Sequence, residues 1–146
     1  MRTVDAPIEL DLQVLVKNLI ISRPSNFTLE FPIGNSKNLD IAICSISYIE
    51  SDGILSKLHM INGSRELIKI ASTLGDCENQ LREYAFIRTH RSYLVNCSCI
   101  KFLESGVCSK ITLKSNIILP VSRRKIKAIK TTFHALGIPC RRNPSV

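Results

Sequence analysis

FIRTHRSYLVN, residues 86–96, places three basic side chains among apolar and aromatic ones. The three are Arg88, His90 and Arg91. A strand in a protein core rarely contains so many cationic groups, and a solvated loop has little need of so many apolar ones. The mixture indicates a short segment that the core holds firmly while its basic groups face a ligand.

The positive charge of the chain is confined to its C-terminal part. The net charge is +8, yet residues 1–104 carry 11 Lys or Arg and 12 Asp or Glu, whereas residues 105–146 carry nine and none. A field of one sign in one region attracts a polyanion, either nucleic acid or an anionic membrane surface. The alternative is a solvated basic face that serves only solubility.

Length and composition indicate a single globular domain of 146 residues. We see no transmembrane span and no signal peptide, so a cytoplasmic protein is expected. The six cysteines are expected to be reduced thiols rather than a disulfide framework. Cys97-x-Cys99 with Cys108 lacks the spacing of a zinc site, so no metal or other cofactor is expected.

Short strand patterns separated by turn residues predict a mostly β fold built from antiparallel sheets. The expected strands are 27–31, 41–49, 57–61, 66–70, 93–95, 100–103, 110–114 and 117–121. Residues 1–26 are expected to be an N-terminal extension, 27–138 the domain and 139–146 a basic C-terminal tail. Within the extension, residues 8–21 fit both strand alternation and helical spacing, and periodicity alone does not separate the two.

Two helices are expected, at 75–84 and 123–136. For the second, Ser122 is a suitable N-cap, Gly137 a suitable C-terminal residue, and Pro139 prevents continuation. Helical spacing gathers its apolar side chains on one face and its cations on another: Ile126, Ile129, Phe133 and Leu136, against Arg123, Lys127 and Lys130. This helix is expected to dock on a sheet and present cations, with a phosphate seat at its first turn.

The opening stretch closely resembles the signature of the LytTR family of DNA-binding domains. Two further blocks match in the order of that family: ISYIESDG at residues 46–53 and LPVSRRK at residues 119–125. The resemblance covers roughly residues 27–136. It implies an elongated, mostly antiparallel β arrangement with two short helices. It also implies loops that enter successive major grooves of double-stranded DNA, and binding to paired direct repeats.

The resemblance implies that Arg91 and Arg123 reach base edges, and the planar fork of Arg suits the two acceptors of guanine. It places a third contact loop at 54–57, where Ser56 and Lys57 are the expected base contacts. The basic residues on the last helix and just before it are the expected phosphate contacts, which set affinity rather than sequence preference. They are Arg124, Lys125, Lys127 and Lys130.

Several residues of the signature have more than one interpretation. Arg88 is expected to contact a phosphate or, equally, to pair with a carboxylate such as Glu83 or Glu104. His90 beside Ser92 lacks a nearby acid to orient it as a catalytic base. His90, Ser92 and Asn96 are therefore expected to be structural, and no catalytic residue is expected.

These observations predict a sequence-specific transcriptional regulator that binds double-stranded DNA and has no catalytic activity. The alternative is an interaction module whose basic end meets an acidic protein or an anionic membrane. The free protein is expected to be a monomer, with two copies on DNA, because no heptad pattern or long apolar edge demands a dimer. The chain has no room for the receiver domain that often accompanies this family, so a stand-alone domain is expected.

Overall fold

A computed structural model describes residues 27–61 and 67–142. The expected N-terminal extension, the turn at Asn62-Gly63 and the last four residues lie outside the described residues. The described strands form sheets of two, five and four strands, accompanied by two helices. The predicted mostly β fold with antiparallel sheets and two short helices is confirmed.

The two-stranded sheet is a hairpin of β1 (Thr28–Gly34) and β2 (Lys37–Ala42). Its turn residues Asn35 and Ser36 both have positive φ, 51° and 58°, as a turn matching the twist of the strands requires. The predicted strand at 41–49 is wrong as a single element. A 3₁₀ turn at Ile43–Ser45 divides it, and a new strand begins at Ile46.

The central sheet has five antiparallel strands in the order β5-β4-β3-β7-β6. Hairpins join β3 to β4 and β6 to β7, and β3 pairs with β7 at the centre. β6 was not among the predicted strands. The five strands are β3 (Ile46–Asp52), β4 (Leu55–Met60), β5 (Leu67–Ile70), β6 (Phe86–His90) and β7 (Tyr93–Asn96).

The four-stranded sheet has the order β10-β9-β8-β11. Its strands are β8 (Ile100–Ser105), β9 (Lys110–Leu113), β10 (Ile118–Pro120) and β11 (Cys140–Arg142). β11 pairs with β8 in parallel, whereas the other pairs are antiparallel. Residues 140–142, which fall in the expected C-terminal tail, thus form a strand beside β8.

The first helix, α1, spans Leu74–Gln80 and is shorter than the predicted 75–84. Thr73 caps it, since its hydroxyl accepts a hydrogen bond from the backbone N–H of Asp76 at 3.1 Å. Residues 81–85 form turns, and Ala85 has a φ of 56° that a right-handed helix cannot contain.

The second helix, α2, spans Ile126–Leu136 and begins later than predicted. Ser122 is not its N-cap, because residues 123–125 form a turn in which the Lys125 N–H donates to the Ser122 carbonyl at 3.1 Å. Gly137 ends the helix with a φ of 74°, as predicted. Neither helix in the described ranges is long and apolar enough to cross a membrane.

The central sheet carries a hydrophobic core on each face, because side chains alternate along a strand. Ile49 and Leu94, which pair in register, belong to the core shared with the hairpin sheet and α1. Tyr48 and Val95, also paired, belong to the core shared with the four-stranded sheet and α2. Burial on both faces explains why these two strands consist of consecutive apolar residues.

Candidate nucleic-acid interface

Arg91 lies at the tip of the hairpin between β6 and β7. His90 pairs with Tyr93, so Arg91 and Ser92 form the connecting turn. The side chain of Arg91 is exposed, whereas Leu94 and Val95 just beyond it are fully buried. The buried residues anchor the strand, and the cation projects from the anchored end.

Arg88 holds this tip in place. Its Nη1 lies 3.0 Å from Glu78 Oε1 of α1, its Nε donates to the His90 carbonyl at 3.0 Å, and its Nη2 donates to the Arg91 carbonyl at 2.6 Å. Charge-assisted hydrogen bonds of this kind are the stronger ones in proteins. Arg88 does not fit the predicted phosphate contact, because its guanidinium is engaged internally. Its carboxylate partner is Glu78 and not Glu83 or Glu104.

His90 and Asn96 make hydrogen bonds that shape the same hairpin. The Nδ1 of His90 accepts from the Ser92 N–H at 3.1 Å across the turn. Burial lowers the pKa of His90, and the nearby charges of Arg91, Arg88 and Lys125 lower it further. Asn96 donates to the Ile46 carbonyl at 2.9 Å and accepts from the Ser98 N–H at 3.0 Å. Both residues occupy the structural roles for which their types are suited.

A second hairpin tip, between β3 and β4, lies beside the first. The Ser51 N–H donates to the Ser92 carbonyl at 2.9 Å, because β3 ends where β7 begins. Gly53 and Ile54 form the turn between the paired residues Asp52 and Leu55. Gly53 has a φ of 66°, typical of a two-residue turn with glycine first. Ile54 is 80% exposed, the highest value among the exposed large hydrophobic residues of the described chain.

The predicted contact at Ser56 does not fit the structure. Ser56 is fully buried on β4, and its hydroxyl donates to the Ser72 carbonyl at 2.7 Å. Lys57 lies on the same strand behind the tip, with Nζ 4.0 Å from Asp52 Oδ2 and a side chain that is partly exposed. Strand alternation directs one of these neighbours inward, so Ser56 cannot reach DNA.

The segment leading into α2 is tied to the first hairpin. The Ser122 N–H donates to the Thr89 carbonyl at 2.8 Å, which ties residues 121–125 to the first hairpin. Lys125 is partly buried, with Nζ 3.4 Å from the Arg88 carbonyl. Burial lowers the pKa of Lys125. Lys125 therefore connects the two segments, while Arg123 and Arg124 stay exposed beside the hairpin tips.

α2 separates its apolar and basic faces as predicted. Ile129, Thr132 and Phe133 are buried against the second core, and Lys127 and Lys130 are exposed. The helix thus docks through one face and presents ammonium groups on another. Together, the two hairpin tips, the 121–125 segment and α2 make one surface with exposed cations.

A family model described as the LytTr DNA-binding domain matches residues 36–134, which include both hairpin tips and the segment before α2. The chain belongs to the LytTR family of DNA-binding domains. Its basic surface is therefore part of a LytTR DNA-binding domain. The family is not an enzyme class.

Two LytTR proteins illustrate the similarity. Sensory transduction protein LytT of Oceanobacillus iheyensis is 41% identical over 88 residues, which cover 58% of this chain and 35% of that protein. The chain thus spans about a third of the length of that relative. A solved structure from Bacillus cereus, described as the LytTr DNA-binding domain of a methyl-accepting/DNA response regulator, matches with a TM-score of 0.59 at 17% identity. That match covers 73% of this chain and 95% of the other, and it shows the shared LytTR fold.

The buried thiols of this LytTR domain are structural in character. Burial raises the pKa of Cys97 to about 12 and that of Cys77 to about 11, so both stay protonated near neutral pH. Metal binding requires the thiolate form. Within residues 27–61 and 67–142, no three His, Cys, Asp or Glu side chains are grouped as metal ligands would be.

Two residues of the LytTR surface were missed from the sequence. Glu78 is ten positions from Arg88 with a helix end and a turn between them, and no local pattern relates the two. The position of Ile54 could have been predicted, because the Asp52-Gly53 turn indicates that the next residue lies at a hairpin tip. Its apolar character is unusual for so exposed a position, which makes it a candidate contact.

Proposed function

We propose that the chain is a sequence-specific transcriptional regulator whose LytTR domain binds double-stranded DNA through its two hairpin tips and the segment before α2. The observation that carries this proposal is the convergence of Arg91 and Arg123. They are distant in sequence, yet the hydrogen bond between Ser122 and Thr89 brings their segments together. Both side chains are exposed at this junction.

Base reading is assigned to the tips because they are narrow and their positions are well defined. Arg91 and Arg123 carry the guanidinium fork that pairs with O6 and N7 of guanine in the major groove. Ile54, rather than Ser56, is the contact proposed for the third loop. An exposed apolar side chain recognises the methyl group of thymine, the one apolar feature on a major-groove edge.

Phosphate binding is assigned to cations whose ammonium or guanidinium groups reach solvent. Arg124, Lys127 and Lys130 are exposed along the turn and the helix that follow the tips. Such contacts supply affinity and register but no sequence preference. Lys57 and Lys125 are partly buried, so their main role in this proposal is to support the tips.

We further propose that the protein acts in the cytoplasm as a free monomer, and that two copies bind paired direct repeats lying head to tail on the duplex. Each copy carries one set of tips, so recognition of two half-sites needs two copies. Light scattering of the free protein and of the complex measures both stoichiometries. A tight dimer without DNA would contradict this part of the proposal.

In vitro selection from a random duplex pool tests the central proposal. The full chain should enrich a defined motif, and Arg91→Ala should enrich a motif with one position relaxed. Lys37→Ala, an exposed change on β2 away from the tips, is the matched control and should leave the motif unchanged. Vesicles with anionic lipid and an acidic peptide test the alternative partners. Binding to either without enrichment of any duplex would overturn the proposed function.

A further inference from the structure

A basic groove lies between α2 and β11, apart from the hairpin tips. It has a volume of about 480 Å³. The helix contributes Lys130, Thr131 and His134, and the strands contribute Ser105, Cys140, Arg141 and Arg142. The residues that line it include no Asp or Glu. A groove with several cations and no acid favours an anionic ligand.

The pairing of β11 with β8 directs Arg142 into this groove. Arg142 pairs with Ser105 and Cys140 with the buried Leu103, so all four lie on the face toward α2. Arg141 also lines the groove, but its guanidinium lies 3.7 Å from the centre of the Phe102 ring. Glu104 pairs with Arg141 and is not among the residues that line the groove.

Lys130 belongs to the groove as well as to the exposed face of α2. Lys130 and Cys140 both line the groove. Burial raises the pKa of the Cys140 thiol, and the positive charge of Lys130 opposes that rise. Lys127, Lys130 and His134 follow one another at helical spacing of three and four residues. These three residues form a basic row along α2, and the row ends in the groove.

The dimensions of this row match those of a DNA strand. The seven residue steps from Lys127 to His134 correspond to about 10 Å of helix, or roughly three phosphate steps measured along the duplex axis, at about 3.4 Å per step on one strand. The groove is shallow and open to solvent, which suits a polymer backbone better than a small enclosed anion. The guanidinium of Arg142 offers the fork that binds phosphate oxygens in pairs.

We propose that this groove binds a phosphate of the duplex flanking the bases read at the tips, with Lys130 and Arg142 as its two principal donors. This inference rests on the proposed function and extends its footprint. β11 lies beyond residues 36–134, the part that matches the family model, whereas Lys130 lies within it. Ser105 and His134 flank the bound phosphate.

Salt titrations of Arg142→Gln test the inference. On a duplex selected in vitro and on a mixed-sequence duplex alike, the slope of log affinity against log salt should flatten by about one unit. Lys130→Gln should do the same, and the double variant should flatten it by about two units. Lys37→Gln is the matched control with an exposed lysine on β2, and its slope should equal that of the wild type. Equal melting temperatures check that each variant is folded.

Stepwise shortening of the selected duplex locates the phosphate. When the base pair whose phosphate binds the groove is removed, the wild-type slope of log affinity against log salt should flatten to that of Arg142→Gln. The slope of the variant should not change on the same shortening. If both groove variants keep the wild-type slope while Arg91→Ala loses its site preference, the groove does not touch DNA and only this inference fails. If Arg91→Ala loses nothing either, the proposed function fails.

A titration with inorganic phosphate tests whether the groove binds a free phosphate ion rather than a phosphate of the duplex. Backbone amide shifts of Lys130 and Arg142 should change little in phosphate alone and strongly in duplex. Saturation by inorganic phosphate with unchanged duplex slopes in both variants would assign the groove to a free anion and overturn the inference.

Discussion

Cations at the hairpin tip and cations on α2 are held in opposite ways. At the tip, Arg88 binds the carbonyls of His90 and Arg91 and the carboxylate of Glu78, so the backbone that carries the exposed Arg91 is fixed by three contacts. On α2, no hydrogen bond or ion pair between described residues involves the ammonium groups of Lys127 and Lys130. One region is ordered around its cation, and the other exposes its cations to solvent.

This difference matches two requirements of DNA recognition. Reading a base needs a donor fixed in both position and direction, since a bidentate pair with guanine tolerates little displacement. Binding a phosphate needs only a charge within reach, because the counterions released supply the free energy. The internal ion pair at Arg88 therefore serves the exposed Arg91. The following predictions test that division, from the largest effect to the smallest.

Replacing Arg88 by Ala should have the largest effect, because it removes three contacts and leaves Glu78 without its partner. We expect the free energy of unfolding to fall by about 1.5–3 kcal/mol. Preference for the selected duplex should fall at least as far as in Arg91→Ala. Chemical denaturation and duplex competition measure the two effects.

Arg82→Ala is the control for Arg88. Arg82 is an exposed arginine whose one hydrogen bond, 3.1 Å to Asn79 Oδ1, stays within its own turn. It should behave as wild type in both measurements. An Arg88→Ala protein with normal duplex preference would break the comparison, since the tip would then need no internal support.

Arg91→Ala should weaken binding to the selected duplex by about 1–3 kcal/mol and relax one base position. Binding to scrambled duplex should change little, because the lost contact carries sequence preference. Competition between selected and scrambled duplexes gives both numbers. An equal loss on the two duplexes would show that Arg91 binds a phosphate.

Lys127→Ala should weaken binding to selected and scrambled duplexes alike. The slope of log affinity against log salt should flatten by about one unit, as for a single phosphate contact. Salt titrations of wild type and variant on both duplexes measure it. A loss confined to the selected duplex would place Lys127 among the base contacts and remove the contrast with Arg91.

His90 should show the smallest effect, a shifted titration in the free protein. Its pKa lies below the ordinary value of 6.5, because burial and three nearby cations disfavour the charged form. The neutral ring contributes stability that is complete above the unfolded pKa and is lost as pH falls through the lowered pKa. NMR titration of the His90 ring measures the folded value. A pKa above 6.5 would contradict this prediction, since burial and the nearby cations would then not govern the titration of His90.

Several features of the surface followed from local pattern alone. The basic face of α2, its end at Gly137 and the structural roles of His90 and Asn96 depend on spacing and side-chain type within a few residues. Such features are accessible because helical periodicity and turn chemistry act locally. The three blocks that resemble the LytTR signature likewise identified the family, which the match over residues 36–134 now shows.

The sequence by itself determined the mostly β fold class, the basic C-terminal part and the family. Only the tertiary structure decided that Arg88 pairs with Glu78, that Ser56 faces inward and that residues 140–142 form a strand beside β8. Pairing across sheets and helices depends on which elements meet, and alternation along β4 leaves open which of two neighbours is buried until the partner strands are known. The backbone hydrogen bonds from Ser122 to Thr89 and from Ser51 to Ser92 have the same origin, because they join segments that are distant in sequence.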